Sequence, residues 1–551
     1  MMRRLITAAA ALAVAGGVAA GTRAPYLRQL DALRASSDVL PPRLQRVELF
    51  AMFNREAPVP PQCYTRTEGR YNPCYVCHQA AIAGRENQMD DGDLQAQYSF
   101  SETGADNHWL NLFEDRRERI EQIGDAEIRE WVDQDNYSEL AARLRAAGFQ
   151  GYIPDLGNLQ LGAAAFDAQG FARDGSAWVA FNYKPLPSTF WPSNGATDDV
   201  MIRLPPHFRQ DAAGRPSRDI YQANLAILEM AIKDLPMTDS SPLDERTVGR
   251  DLDGDGRRSV VTRVRAADHY VGSASGIAVT PFVYPQGTEF LHTVRYVGVD
   301  AHGGIVNSTR MKEVRYMRRW LQSDHAQLRQ RYEAEKIEKD KGELPAYVNF
   351  GHGGLATPMG WQVAGFIEDR AGRLRASTFE ENMFCMGCHN SIGSTIDKTF
   401  SFARKVDGAA GWRYVNLRGM PDAPSRGESA GEIATYLERA GGGSEFRSNE
   451  EMQARWFRAD GSLDAEAIAR ARDVYDLIAP SAARAMLLNK AYRVIVDEQS
   501  YLFGRDPLPA PPRNVYRNVD PQGVPTLPAQ RQFSWDIRLD WAAATARHAD
   551  R

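Results

Sequence analysis

Two five-residue stretches carry most of the chemistry in this sequence: Cys74-Tyr75-Val76-Cys77-His78 and Cys385-Met386-Gly387-Cys388-His389. Each reads C-x-x-C-H. Thiols three residues apart share one side of a helical turn, where each can add across a vinyl group of a porphyrin. The adjoining imidazole then reaches the iron. The pattern is the attachment signature of c-type haem, with His78 and His389 as proximal iron ligands. A zinc knuckle would need further Cys or His ligands at close spacing, and neither cluster has a second cysteine pair near it. A redox dithiol would need a thioredoxin-like β-α-β setting. Five cysteines in 551 residues are too few for a disulfide framework. The odd one, Cys63, reads as a buried inert thiol, a partner for another chain or a thiolate ligand to iron.

Whether an iron carries a sixth ligand separates carrying electrons from activating a small molecule. For the first site the candidates are His108, thirty residues beyond His78, and Met89 on the intervening loop. For the second, His352 sits in Phe350-Gly351-His352-Gly353-Gly354, with Met359 after it. Glycines let a backbone approach a flat macrocycle, so His352 is a candidate distal ligand or acid/base group. His207, His269, His292 and His325 have no supporting context. A separate constellation, Asp251-Leu252-Asp253-Gly254-Asp255-Gly256, matches the first half of an EF-hand loop, with carboxylates from Asp251, Asp253 and Asp255 as candidate Ca²⁺ ligands. The second half fails, because position twelve is Thr262.

Elements must position these groups. Residues 1–20 read as a secretory signal: Arg3 and Arg4, an Ala-rich apolar stretch, then small residues at Val18-Ala19-Ala20. No later segment is long and apolar enough to span a bilayer, so the expected product is a soluble periplasmic or extracellular protein with no stable membrane span. A formal charge of −5 argues against nucleic acid as a partner. Residues 21–150 read as an α-rich haem c region, with helical spacing at Tyr26–Ser36, Trp109–Ile123 and Asp125–Phe149. Residues 151–310 read as a β-rich middle domain. Strands are expected at Ser259–Arg265 and Glu289–Gly298, with a helix at Tyr221–Leu235 between them and the earlier β-rich run. Residues 311–505 read as a second α-rich haem c region: a charged helix over Lys312–Lys341, a helix into Cys385 begun by a capping box at Ser377 and Glu380, then helices at Gly431–Ala440, Asp464–Ile478 and Ser481–Gln499. Residues 506–551 are a Pro-rich tail. The fold class expected is α+β multidomain, with mainly α-helical haem c regions at both ends flanking the β-rich middle.

On the two pentads and the export signal the chain resembles bacterial exported di-haem c-type cytochromes. That resemblance implies two covalently bound haem c groups, at Cys74 and Cys77 with His78 and at Cys385 and Cys388 with His389. It implies single-electron transfer outside the cytoplasm, to a redox partner protein or a small-molecule donor or acceptor. A haem oxidoreductase acting on a small molecule at an open iron is the alternative, suggested by a chain far longer than two haems need. A surface binding protein wired by haems is a third.

Overall fold

The computed structural model describes residues 53–341, 347–390 and 392–544. The signal and the Tyr26–Ser36 helix lie outside the described residues.

The centre of the molecule is an eight-stranded antiparallel sheet. Its strands are β1 (Val179–Ala180), β2 (Thr197–Arg203), β5 (Glu289–Val299), β6 (Ile305–Arg319), β7 (Val348–Asn349), β8 (Leu355–Ala356), β9 (Trp361–Glu368) and β10 (Leu374–Ala376). The order is β1-β2-β5-β6-β9-β8-β7, with β10 paired to β9. A separate ribbon pairs β3 (Met237–Asp244) with β4 (Val260–Arg265). Because side chains alternate along a strand, the register sorts the sheet into two faces. Val200, His292, Arg315 and Gly365 align across one face. On it Val200, Ile202, Phe290, Met317 and Val363 join the large core that also holds Tyr75, Val76, Met383 and Cys385. The opposite face, with Met201, Leu291, Tyr316 and Phe366, packs under Leu140, Leu144, Phe149 and Phe166. Both pentads therefore belong to one side of one sheet.

This arrangement corrects the expected fold class. Helical haem regions do not flank a β-rich middle; early and late described segments pair with each other, Thr65 with Val515 and Asp106 with Asn518, and β6 runs straight across position 310. The longer helices are α1 (Asp125–Asp133), α2 (Leu140–Ala146), α3 (Arg218–Lys233), α4 (His325–Asp340), α5 (Phe379–His389), α6 (Glu432–Ala440) and α7 (Ala482–Glu498), of which α1, α5 and α7 pack directly on strands of the central sheet while α3 packs on the β3–β4 ribbon. The expected Lys312–Lys341 helix starts only at His325, after an Asp324 capping box. Residues 312–319 extend β6 instead, because β5 and β9 both offer backbone partners there. The Trp109–Ile123 helix is reduced to a 3₁₀ turn at Leu110–Phe113 and one α-turn at Arg117–Glu121. Residues 125–149 break into α1 and α2, and the Asp464–Ile478 stretch likewise forms two short helices. The Pro-rich tail wraps the body rather than hanging free, burying Val515, Val519, Leu527 and Trp535.

Candidate functional site

The two pentads adopt different local structures. Pro73 leads into a single 3₁₀ turn, Cys74–Val76. Asn72 Oδ1 accepts the Tyr75 N–H at 3.2 Å, satisfying a donor that so short a turn leaves open. Tyr75 anchors the turn in an aromatic nest of Tyr436, Phe533 and Trp535, with the Arg439 guanidinium over its ring. The second pentad ends α5. The capping box that starts this helix is Thr378 with Glu381, one residue beyond the expected Ser377 and Glu380. Glu381 also takes a bidentate pair from Arg375, both bonds at 2.8 Å and both side chains buried. Gly387 is required by contact: a Cβ there would run into the Pro58 carbonyl, so α5 lies directly on the segment leading to Cys63.

The two segments meet. Cys63, Cys74, Cys77, His78 and Cys388 line one open-mouthed cavity, about 1730 Å³ of atom-free space with its mouth included. Val59, Met89, Tyr98, Phe100, Phe190 and Ile392 give it an apolar lining. Cys385 is buried beside it, in the field of Arg315 and Arg505. Burial pushes the thiols of Cys74 and Cys388 up to about 12, and those of Cys63 and Cys385 upward too. Burial, and after it the neighbouring Cys388, hold the Cys77 thiol well above its usual range. Reactive dithiols show the reverse, a depressed pKa, so the redox-dithiol reading loses its physical basis. Among the described residues no three of these thiols and imidazoles place ligand atoms within 4.8 Å of one another.

Both imidazoles are pinned through Nδ1. His78 Nδ1 lies 2.9 Å from Asp91 Oδ2. His389 Nδ1 lies 2.8 Å from the Lys398 carbonyl. A carboxylate and a carbonyl only accept, so each ring carries a proton on Nδ1 and points Nε2 away from that partner. That is the outer-shell arrangement of metal-ligating histidines. Burial lowers the His389 pKa to about 4, which keeps the ring neutral, the form that can ligate.

Of the other nominated residues, Met89 lines the cavity. His108 does not; its Nδ1 lies 3.4 Å from Asn54 Oδ1 and its ring leans on Phe53. His352 is also elsewhere, stacked on Phe149 at 4.6 Å with its Nδ1 accepting the Gln150 N–H. Met359 packs with Leu328 and Tyr332. In the acidic loop the carboxylates that come together are Glu245, Asp251 and Asp253, without Asp255. Each also accepts backbone N–H groups, Glu245 from Leu252 and Ser259, Asp251 from Gly254 and Gly256, and Asp253 from Asp255.

Three residues escaped the sequence reading. Asp91 sits thirteen positions past His78 in a loop of ordinary composition. His292 gains a context from the sheet: its Nε2 lies 3.2 Å from Asp198 Oδ2, and it stands opposite Arg315 on the face that carries α5. Glu445 lines the cavity, its carboxyl pushed up to about 7 by burial. None sits in a motif; only strand register and chain crossing place them.

A family model described as a "-like lipoprotein" matches residues 46–475. The chain belongs to this lipoprotein family. An uncharacterized lipoprotein of Aquifex aeolicus (strain VF5) is 31% identical over 515 residues, covering 82% of this chain and 86% of that relative. No solved structure matches. This membership corrects the resemblance to di-haem c-type cytochromes, since the family and the relative bear the name of lipoproteins. The functions drawn from that resemblance, electron carrier, haem oxidoreductase and haem-wired binding protein, are withdrawn with it. Lipoproteins are exported, and so is this chain. No described helix is long and apolar enough to cross a membrane.

Proposed function

We propose that this lipoprotein-family member is a cell-envelope protein built to hold two iron porphyrins, one tethered at each pentad, in the shared cavity. The carrying observation is the pair of Nδ1-anchored imidazoles, His78 on Asp91 and His389 on the Lys398 carbonyl, each following the two cysteines of a C-x-x-C-H pentad. When bound, such a group supplies an iron centre. The chain would supply the rest: Cys74, Cys77, Cys385 and Cys388 to hold the group covalently, His78 and His389 as imidazole ligands, and apolar walls to keep water from it. Placement in the periplasm or on the outer surface, with the leader removed after Ala20, agrees with thioether attachment taking place beyond the cytoplasmic membrane in bacteria.

The test is the intact mass of protein exported by a host competent in thioether maturation. The expected mass exceeds the mature polypeptide by two iron porphyrins. Replacing Cys74 and Cys77 with Ala, or Cys385 and Cys388, removes one of them. A colourless product at the bare polypeptide mass overturns the proposal.

A further inference from the structure

Asp91 makes contacts that neither attachment site needs by itself. Its side chain is 3% exposed. Oδ2 faces His78 Nδ1 at 2.9 Å, while Oδ1 accepts two backbone N–H groups, from Gln79 at 2.8 Å and from Gly393 at 3.0 Å. Gln79 directly follows the first pentad; Gly393 lies four residues past His389. One carboxylate therefore holds the imidazole of one site and the exit loop of the other. The approach is so close that a Cβ at Gly393 would run into Asp91 Oδ1 and the carbonyls of Gln79 and Met89. Contacts around it repeat the tie: Ser394 N–H donates to the Cys77 carbonyl at 3.1 Å, Gln88 Nε2 donates to the Gly393 carbonyl at 3.1 Å, and Asn87 Nδ2 donates to Asp397 Oδ1 at 3.1 Å. Asp397 lies next to Lys398, whose carbonyl holds His389.

We infer that Asp91 is a positioning residue that makes the two attachment sites one unit, orienting His78 and latching the loop behind His389 with the same carboxylate. The inference rests on the cavity's proposed role as a porphyrin seat. Its chemistry is specific to a carboxylate. Two acceptor oxygens serve three donors, and an isosteric amide has a single acceptor oxygen. Asn at this position must give up either the imidazole or the two backbone amides. Ala gives up all three.

The experiment compares matured wild-type protein with D91N by intact mass, by the electron-paramagnetic spectrum of the irons, and by amide hydrogen exchange. D91N is expected to shift the iron signal of one site only and to speed exchange at Gln79 or Gly393 at least tenfold, while amides in the middle of α5 keep wild-type protection. An unchanged iron signal together with unchanged amides in D91N overturns the inference. In the wild-type protein, nitrogen NMR should find the His78 proton on Nδ1; a proton on Nε2 also overturns it, and this reading survives a D91N variant that does not accumulate. If wild-type protein carries no porphyrin mass, the seat proposal fails while the exchange comparison still decides the latch.

Discussion

The first and second pentads carry the same five-residue chemistry on opposite kinds of support. The second ends an eleven-residue helix that has its own capping box, a buried Arg375–Glu381 pair and a sheet beneath it. The first is one 3₁₀ turn closed by the Cys77 and His78 N–H groups on the Cys74 carbonyl and held from outside by Asn72, by an aromatic nest and by residues three hundred positions away. A motif that needs only two thiols and an imidazole in fixed relation can thus be supplied by local helix geometry or by distant clamps. The difference lies in what each costs to break.

The largest effect expected is from Arg375→Ala. It leaves Glu381 buried without its partner, a loss of about 3–5 kcal/mol in urea unfolding. Mass analysis should then show the second site under-loaded and the first retained. Loss of both to the same extent would break the contrast between a self-supported and a clamped site.

Gly393→Ala strikes the clamp. The added methyl meets Asp91 and two carbonyls, with an expected overpacking cost of about 1–3 kcal/mol. Here the first site should lose its load before the second; the reverse order would show that the exit loop serves α5 alone. Thr378→Ala removes only the cap of α5 and should cost about 1 kcal/mol by the same unfolding measurement, leaving both loads in place.

Of the five pentad residues at each site, all were legible in sequence, because the signature is local. Their meeting was not. Nothing in residues 70–95 announces a contact with residue 393, since the tie consists of backbone amides and one ordinary aspartate. The β6 segment misled for a related reason: Met311-Lys312-Glu313-Val314-Arg315 has the charge density of a solvated helix. Its Lys312 is buried instead, with Nζ donating to the Gly195 carbonyl and lying over the Tyr492 ring. His352 misled because a glycine-rich loop suggests close approach without saying to what; what approaches is Gly151. The helix α7 and the strands β4 and β5 were recovered nearly to the residue, being set by short-range pattern.

The wall shared by both sites gives the gentlest contrast, a slope with pH. Burial raises the Glu445 carboxyl from 4.5 to about 7. Between those values the folded chain holds a proton that the unfolded chain releases. The stabilisation is therefore complete below pH 4.5 and lost as pH rises through 7. Glu445→Gln should flatten that decline in denaturation curves taken from pH 4.5 to 7.5. An unchanged slope would assign the decline to Glu368, which burial also raises to about 7 but which lies outside the cavity lining.

The crossing of the chain also sets a timetable. During translocation residues 74–78 emerge long before residue 393, and the nest around Tyr75 waits longer still for Phe533 and Trp535. Until then the early cysteine pair would stay accessible, the interval in which the proposed attachment would take place. The later pair rides on a helix able to form as soon as it emerges. Closure of Phe533 and Trp535 over the turn of the early pair would end that interval, a door hung last on a room framed first.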